Sequence, residues 1–390
     1  MLRTGPTSSP APETAGEVSP KRYFLGTHRA HSPDETWNRI SPSLERMGIT
    51  RIADVTRLDT LGIPVFQAIR PASRNLSVSQ GKGLTAAAAR VSAAMESVEM
   101  WHAEDLDRVP QTTSSLQEMR YANPIPHEKL RWMFGARPLW SHPIRWVEAR
   151  SLAEDRPGWL PRDMMELDFT VSERFRPQMF VRNSNGLASG NDIYEAILHG
   201  LCEVVERHAW SLVQKDPTRL VPIAEETVDS EHLQAIIARV RSAGLKLAMY
   251  DITWQDGLPT AFAKLVASDL PVVWHGSGCH TSPEVALSRA LTEAAQSRLT
   301  FIAGARDDLV PLAKGASFHR SYETFVEPRP VRSFAEIGDD SSPSVHQDVA
   351  RVAERLTRLG YEPFWIDLTH SEVGIPVASS FVPGLADIHG

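Results

Sequence analysis

The chain has 390 residues, a formal net charge of −7 and an isoelectric point of about 6.1. This acidic balance is not typical of proteins that bind nucleic acid or an anionic membrane surface. No apolar run approaches the roughly 18 residues that a membrane span requires, and two cysteines, Cys202 and Cys279, are too few for a disulfide framework or a Cys-rich metal site. We therefore expect a cytoplasmic protein without a membrane or nucleic-acid partner.

The first twenty residues are rich in Pro, Ser, Thr and Gly and contain no apolar stretch. This composition predicts a disordered lead-in over 1–20 and does not fit a signal peptide. Residues 105–165 contain four Trp and many Pro, which predicts an irregular insertion or interface. Residues 305–345 are predicted to form a long polar connection.

A weak repeat occurs three times, starting at Leu44, Arg241 and Leu356. Each copy predicts an amphipathic helix ended by Gly, a strand that ends in Asp-apolar-Thr, a turn with Gly-apolar-Pro, and a second strand. The Gly, Asp and Thr of the copies are Gly48, Asp54 and Thr56; Gly244, Asp251 and Thr253; Gly360, Asp367 and Thr369. The repeated helix–strand–strand unit predicts an α+β fold with antiparallel or mixed sheets backed by helices.

Two further predicted helices carry glutamates among apolar residues. The first contains Glu96 and Glu99, and the second contains Glu195, Glu203 and Glu206. A buried carboxylate is costly unless it is paired, protonated or bound to a cation. Several of them therefore indicate a shared cation, most simply Mg²⁺ that carries a nucleotide.

Structural alternatives exist for part of this set. Glu96 and Glu99 would also fit a solvated stripe on an amphipathic helix. Glu195 follows Asp192 at the spacing of a capping box, in which it would hold the start of the helix. Arg207 or His208 could neutralise one of Glu203 and Glu206, but no cap explains these two, so a ligand role is better supported there.

Each of the two helices follows a glycine-rich turn, SQGKG from Ser79 and NSNGLASGN from Asn183. Gly81, Gly83, Gly186 and Gly190 would let backbone N–H groups approach an anion, and Lys82 adds a positive charge. Neither turn is a Walker motif, and each alone is more often a plain turn.

A third helix is predicted from the N-cap Ser282 to Gly304. Its Arg289 would meet a phosphate, one of the glutamates or, equally well, Glu293 one turn later. Cys279 beside His280 does not by itself predict a nucleophile, since a catalytic pair is assembled in space. The histidines have no spacing that predicts zinc.

These segments resemble the YcaO family. The turn at Ser79 with Glu96 and Glu99, the turn at Asn183 with Glu195 to Arg207, and RALTEAAQSR with Arg289 are similar to the family's three ATP-site segments. The resemblance runs from about Lys21 to the C-terminus. It implies that residues 21–390 form one ATP-binding catalytic domain that activates a peptide backbone amide by phosphorylation of its oxygen.

The resemblance also implies residue roles. The Mg²⁺ residues would be Glu96, Glu99, Glu195, Glu203 and Glu206. The nucleotide would be contacted by Ser79, Lys82, Asn191, Glu195, Arg207 and Arg289. No catalytic base is identified, and the chemistry requires no protein nucleophile because it depends on positioning and charge neutralisation.

The segments KRYFLGTHR from Lys21 and RIADVTRLDTLGIPVFQAIRP from Arg51 resemble the subgroup that works with a TfuA partner protein. Azoline-forming members often end in a Pro-rich tail, whereas this chain ends FVPGLADIHG, which favours thioamide formation in a peptide or protein substrate. The family commonly forms homodimers. The competing predictions are an azoline-forming cyclodehydratase, a non-catalytic ATP-binding accessory or regulator, and a ligase or kinase that acts on a small molecule.

Overall fold

A computed structural model describes residues 20–154, 156–171, 177–255, 257–269, 272–305 and 325–386. The helices in these residues are α1 Pro33–Leu44, α2 Ala86–Ala103, α3 Leu116–Ala122, α4 Arg162–Met165, α5 Ile193–Lys215, α6 Glu231–Ser242, α7 Pro283–Ala303 and α8 Val345–Arg358. The strands are β1 Arg51–Asp54, β2 Val65–Ile69, β3 Val78–Lys82, β4 Gln111–Ser115, β5 Pro143–Ser151, β6 Pro157–Pro161, β7 Leu187–Ser189, β8 Val221–Pro222, β9 Lys246–Asp251, β10 Thr260–Val266, β11 Val273–Cys279, β12 Phe364–Asp367 and β13 Val377–Phe381.

The strands form three sheets. Their orders are β1-β2-β3, β11-β10-β9-β8 and β4-β5-β12-β13-β7, with β6 paired to β5. Every pairing between these strands is antiparallel. The predicted α+β fold is therefore confirmed.

The predicted repeat is present, and each sheet contains one copy of it. The paired strands are β1–β2, β9–β10 and β12–β13, each preceded by a helix. Gly48, Gly244 and Gly360 follow these helices with φ of 74°, 75° and 88°, a left-handed conformation that ends a helix at little cost only for glycine.

The Asp-apolar-Thr sequence closes the connection between the paired strands in the same way each time. In the second copy, Asp251 Oδ1 accepts from the Thr253 amide at 2.9 Å, and Thr253 Oγ1 accepts from the Thr260 amide at 3.1 Å. The equivalent bonds recur around Thr56 and Thr369. The motif is thus structural, since it satisfies turn amides that would otherwise lack a partner.

Each strand pair is extended by a third strand that leads into a long helix. These strands are β3, β7 and β11, and the helices that follow them are α2, α5 and α7. The helices pack directly on their strands, as two glycines show. A Cβ atom on Gly81 would lie 1.9 Å from the Ala93 amide nitrogen, and one on Gly278 would lie 2.2 Å from the Ala286 carbonyl oxygen.

Residues 105–165 are more regular than the sequence predicts, because β4, β5 and β6 supply half of the six-stranded sheet. Strands β4 (QTTSS) and β6 (PGWLP) lack the apolar alternation that identifies a strand; their pairing with β5 specifies their conformation. Residues 1–19 of the predicted lead-in and 306–324 of the predicted connection lie outside the described residues. Among the helices described, none combines the length and apolarity needed to cross a membrane.

Replacing Thr253 by Val should lower the free energy of unfolding by about 1–3 kcal/mol, because the buried Thr260 amide loses its acceptor. Thr253→Ser keeps the hydroxyl and should stay close to the wild type. Urea denaturation of the three proteins measures the difference, and equal stability of the Val variant and the wild type would contradict the structural role of the motif.

Candidate nucleotide site

The glutamates of the three long helices face one cavity. Helices α2, α5 and α7 begin after the N-cap residues Thr85, Asp192 and Ser282. At one identical distance along the chain from these caps lie Glu96, Glu203 and Glu293, and one turn later lie Glu99, Glu206 and Gln296. All six side chains line the cavity, so three equivalent helices present one acidic ring.

The cavity has a volume of about 540 Å³, within the range of roughly 300–1,000 Å³ that is usual for small-molecule sites. Lys82, Arg207 and Arg289 line it together with the carboxylates. Carboxylate oxygens are the ligands that Mg²⁺ prefers, and arginine and lysine bind phosphate. The described wall therefore fits a magnesium-bound polyphosphate.

Glu99 is held by the strand of another unit. Its Oε1 accepts from the amide and the hydroxyl of Ser189 on β7, at 2.8 and 2.6 Å. Burial raises the pKa of Glu99 from its ordinary value of 4.5 to about 8, although the Ser189 hydrogen bonds oppose the rise. Without a cation this carboxyl group is therefore protonated at neutral pH.

Glu206 is held in the same manner by β11. Its Oε1 accepts from the Ser277 hydroxyl at 2.7 Å and its Oε2 from the Cys279 amide at 3.1 Å. Burial raises the pKa of Glu206, and Glu293 adds to the rise.

Burial also raises the pKa of Glu203 to about 7, against the effect of Arg207, whose Nη2 lies 3.4 Å from Glu203 Oε1. Of the two neutralising partners predicted for this pair, Arg207 is the one confirmed.

Both carboxylate oxygens of Glu195 bond to groups of the chain itself. Asp192 caps the helix by accepting from the Glu195 amide at 2.9 Å. The Glu195 carboxylate accepts from the amides of Ala30 and Asn191 at 2.5 and 2.9 Å, and Arg29 lies 3.6 Å away. Both oxygens are thus engaged, so its predicted Mg²⁺ role stays a prediction, while the N-cap at Asp192 is confirmed.

Glu293 forms its ion pair with Lys82, whereas the sequence suggested Arg289 as its partner. Lys82 Nζ lies 2.7 Å from Glu293 Oε2, and an Arg289 Nη2 lies 2.9 Å from His199 Nε2. Burial would raise the pKa of Glu293, but Lys82, Arg207 and Arg289 together lower the pKa below its ordinary value. Burial and Arg289 hold the pKa of His199 well below its ordinary value. The buried Arg289 Nε has no hydrogen-bond partner among the described residues, so this guanidinium can still bind an anion.

The two segments predicted as glycine-rich turns contain strands instead, since Ser79 to Lys82 lie in β3 and Leu187–Ser189 form β7. The nucleotide contacts predicted in these segments divide into two groups. Gly83, Gly190 and Asn191 line the cavity. Gly81 and Gly186 are instead sites of close packing, against α2 and the Ser380 carbonyl respectively. Ser79 is buried in β3 and is not among the described residues that line the cavity, whereas its neighbour Gln80 is; its nucleotide contact stays a prediction.

Sequence reasoning missed two parts of the site. Glu293 was considered only as an ion-pair partner, although its spacing from Ser282 repeats that of Glu96 and Glu203 from their caps. The N-terminal segment contributes Tyr23, Arg29 and other residues to the cavity wall. It is anchored by a fully buried ion pair between Lys21 and Asp348, and no local pattern indicated this contact between distant residues.

Both cysteines belong to the hydrophobic core. Cys202 and Cys279 are free and buried, and burial raises the pKa of the Cys279 thiol well above its ordinary value, which opposes a nucleophilic thiolate. Within the described residues, no three His, Cys, Asp or Glu side chains are close enough to hold a cation by themselves. Mg²⁺ commonly takes most of its ligands from phosphates and water.

Glu99→Gln should stabilise the nucleotide-free protein increasingly as the pH rises. The folded protein keeps the Glu99 proton up to about pH 8, whereas the unfolded chain loses it near 4.5. The wild type therefore loses stability between these values, by about 1.4 kcal/mol per pH unit at most, and the neutral amide does not.

Melting temperatures of the nucleotide-free proteins across this pH range measure the effect. Glu354→Gln, at an exposed position of α8, is the matched control and should follow the wild type. A constant difference between Glu99→Gln and the wild type at every pH would contradict the raised pKa.

Comparison with known proteins agrees with this site. Residues 80–386 match the family model of the YcaO cyclodehydratases, which is described as ATP- and Mg²⁺-binding. A Rhizobium leguminosarum bv. trifolii protein, named only as an uncharacterised protein in the tfuA 3′ region, is 36% identical over 385 residues, which cover 93% of this chain and 90% of that protein.

Two solved structures share the fold. YcaO from Methanopyrus kandleri bound with AMPPCP and Mg²⁺ has a TM-score of 0.70 and 24% identity, and the match covers 95% of each chain. A heterocyclase in complex with substrate and cofactor has a TM-score of 0.79 and 21% identity over 95% of this chain and 54% of that one, so the chain spans about half the length of that heterocyclase. The chain belongs to the YcaO family, whose model is described as ATP- and Mg²⁺-binding, because that model matches residues 80–386.

Proposed function

We propose that this protein uses Mg²⁺ and ATP to phosphorylate a peptide backbone amide oxygen, and that it does so for thioamide formation with a TfuA-like partner protein. The observation that supports this most is that carboxylates from three helices line the same cavity as Lys82, Arg207 and Arg289. The relative in the tfuA 3′ region supports the choice of partner.

In this proposal, the Mg²⁺-binding carboxylates are Glu96, Glu99, Glu203, Glu206 and Glu293. Each bound Mg²⁺ would take one or two of them and complete its ligands with phosphate oxygens and water. Bound Mg²⁺ neutralises the phosphate oxygens and orients the nucleotide. Arg289 and Lys82 bind phosphate oxygens. Arg289 Nε has no hydrogen-bond partner among the described residues, and the Lys82 ammonium lies in the cavity wall beside Glu293. Arg207, paired with Glu203, adds positive charge at the same wall. The residues thus supply positioning and charge neutralisation, which dominate phosphoryl transfer.

The proposed reaction balances without a protein nucleophile. The amide oxygen attacks the γ-phosphorus of ATP, and ADP leaves. Hydrosulfide then attacks the amide carbon, the carbon–oxygen bond breaks, and inorganic phosphate departs with the former amide oxygen. The sulfur of hydrosulfide replaces the amide oxygen, the hydrosulfide proton leaves on the phosphate, and ATP becomes ADP and that phosphate. Nothing is oxidised or reduced.

The second candidate is an azoline-forming cyclodehydratase, favoured by the description of the matching family as cyclodehydratases. The activation step is the same, but the nucleophile is a neighbouring Cys, Ser or Thr side chain of the substrate. The third is a non-catalytic ATP-binding accessory built on the same fold.

Glu203→Gln combined with Glu206→Gln should abolish Mg²⁺-dependent ATP binding, because two ligand carboxylates become neutral. Calorimetry with and without Mg²⁺ measures this, with Glu354→Gln as the control. In the wild type, the apparent affinity should fall as the pH drops below about 8, where Glu99 takes up a proton, and more steeply below about 7, where Glu203 does so. The fall is up to about tenfold per pH unit for each proton. Full Mg²⁺-dependent binding by the double variant would contradict these metal roles.

Reconstitution tests the function. The chain, a TfuA-like protein, Mg²⁺–ATP, sulfide and candidate substrate peptides are combined, and the products are analysed by mass spectrometry. Exchange of oxygen for sulfur is the expected result. Loss of one water molecule would favour the azoline candidate, and ATP binding without ADP formation or peptide change would favour the accessory.

A further inference from the structure

Two of the buried glutamates accept hydrogen bonds from serines that lie on strands of other units. Ser277 of β11 donates to Glu206 Oε1 of α5 at 2.7 Å. Ser189 of β7 donates to Glu99 Oε1 of α2 at 2.6 Å, with a second bond from its amide. Each serine therefore links the strand of one strand–helix unit to a carboxylate on the helix of the preceding unit.

We propose that Ser277 and Ser189 are positioning residues that fix the orientation of the metal-binding carboxylates. This inference rests on the proposed function, because it assigns Glu206 and Glu99 to Mg²⁺. A hydrogen bond to one carboxylate oxygen restricts rotation of the whole group and so sets the direction of its other lone pairs. Such partners of metal ligands typically affect metal affinity or activity by about 10–100-fold.

Ser277 allows a clean test because it acts on the site only through another residue. It is not among the described residues that line the cavity, whereas Glu206 is. Its backbone belongs to the antiparallel β10–β11 pair, opposite Phe262. A change to Ala leaves these backbone bonds possible, so the loss is confined to the hydroxyl on Glu206.

The same arrangement at the third junction supports this interpretation. Here Lys82 at the end of β3 is 2.7 Å from Glu293 of α7. The strand ends of β3, β7 and β11 thus each engage a glutamate of another unit. In two junctions the partner includes a neutral hydroxyl, which orients a carboxylate and leaves its charge for a cation; in the third it is itself a cation.

The test measures the Mg²⁺ concentration that half-saturates binding of a non-hydrolysable ATP analogue, by calorimetry. Ser277→Ala should raise it by about tenfold or more, and Ser277→Thr, which restores the hydroxyl, should return it toward the wild-type value. Affinity for the analogue without Mg²⁺ should be equal in all variants. Ser97→Ala is the matched control, since the buried Ser97 hydroxyl has no hydrogen-bond partner among the described residues.

A wild-type Mg²⁺ requirement in Ser277→Ala would overturn the positioning role and leave the proposed function intact. Equal losses with and without Mg²⁺, accompanied by a lower melting temperature, would also overturn it, since they indicate general destabilisation. If the wild type itself shows no Mg²⁺-dependent nucleotide binding, the proposed function fails together with this inference.

Discussion

The site depends on an electrostatic constraint, the placement of several carboxylates around one cavity. Glu99 and Glu206 are buried, and Glu203 is partly so. Burial raises the pKa of all three carboxyl groups. Because like charges in such a space repel, the ring is satisfied either by protons or by a cation. In the proposed site, a cation and protons would compete for the same oxygens, which would link the stability of the fold to its ligand.

Each of the three sheets contributes a strand that contacts one of these glutamates. Glu99 is bound by β7, Glu206 by β11, and the third helix reaches β3 through Glu293 and Lys82. Thr300 of α7 also bonds Gln80 of β3. These contacts run from each unit to the next and close a ring of three. A shift of the strand in one sheet would therefore move the hydrogen-bond or ion-pair partner of a glutamate in a neighbouring unit. This holds even though each sheet has its own repeat of helix and strands.

The parts of the fold that the sequence predicts are those that depend on local patterns. The glycine that ends a helix and the Asp-apolar-Thr turn act over a few residues, so the repeat around Asp251 and its two equivalents was correctly predicted. Strands such as β4 and β6 were not predicted, because their polar and Pro-containing sequences have no period of their own. The interaction of Lys21 with Asp348 joins residues at opposite ends of the chain, and no local pattern contains such information.

The candidate site follows the same division. By itself, the sequence determined that glutamates would interrupt apolar helices after glycine-rich turns, since residue type and helical spacing are local properties. Only the tertiary structure decided that Glu293 completes the ring, that Lys82 and not Arg289 pairs with it, and that Asn191 and Ala30 occupy Glu195. It also decided which serine orients which carboxylate. The physical reason is that burial and hydrogen bonding arise from contacts between separate units, so a carboxylate's partner is selected by packing and not by its neighbours in the chain.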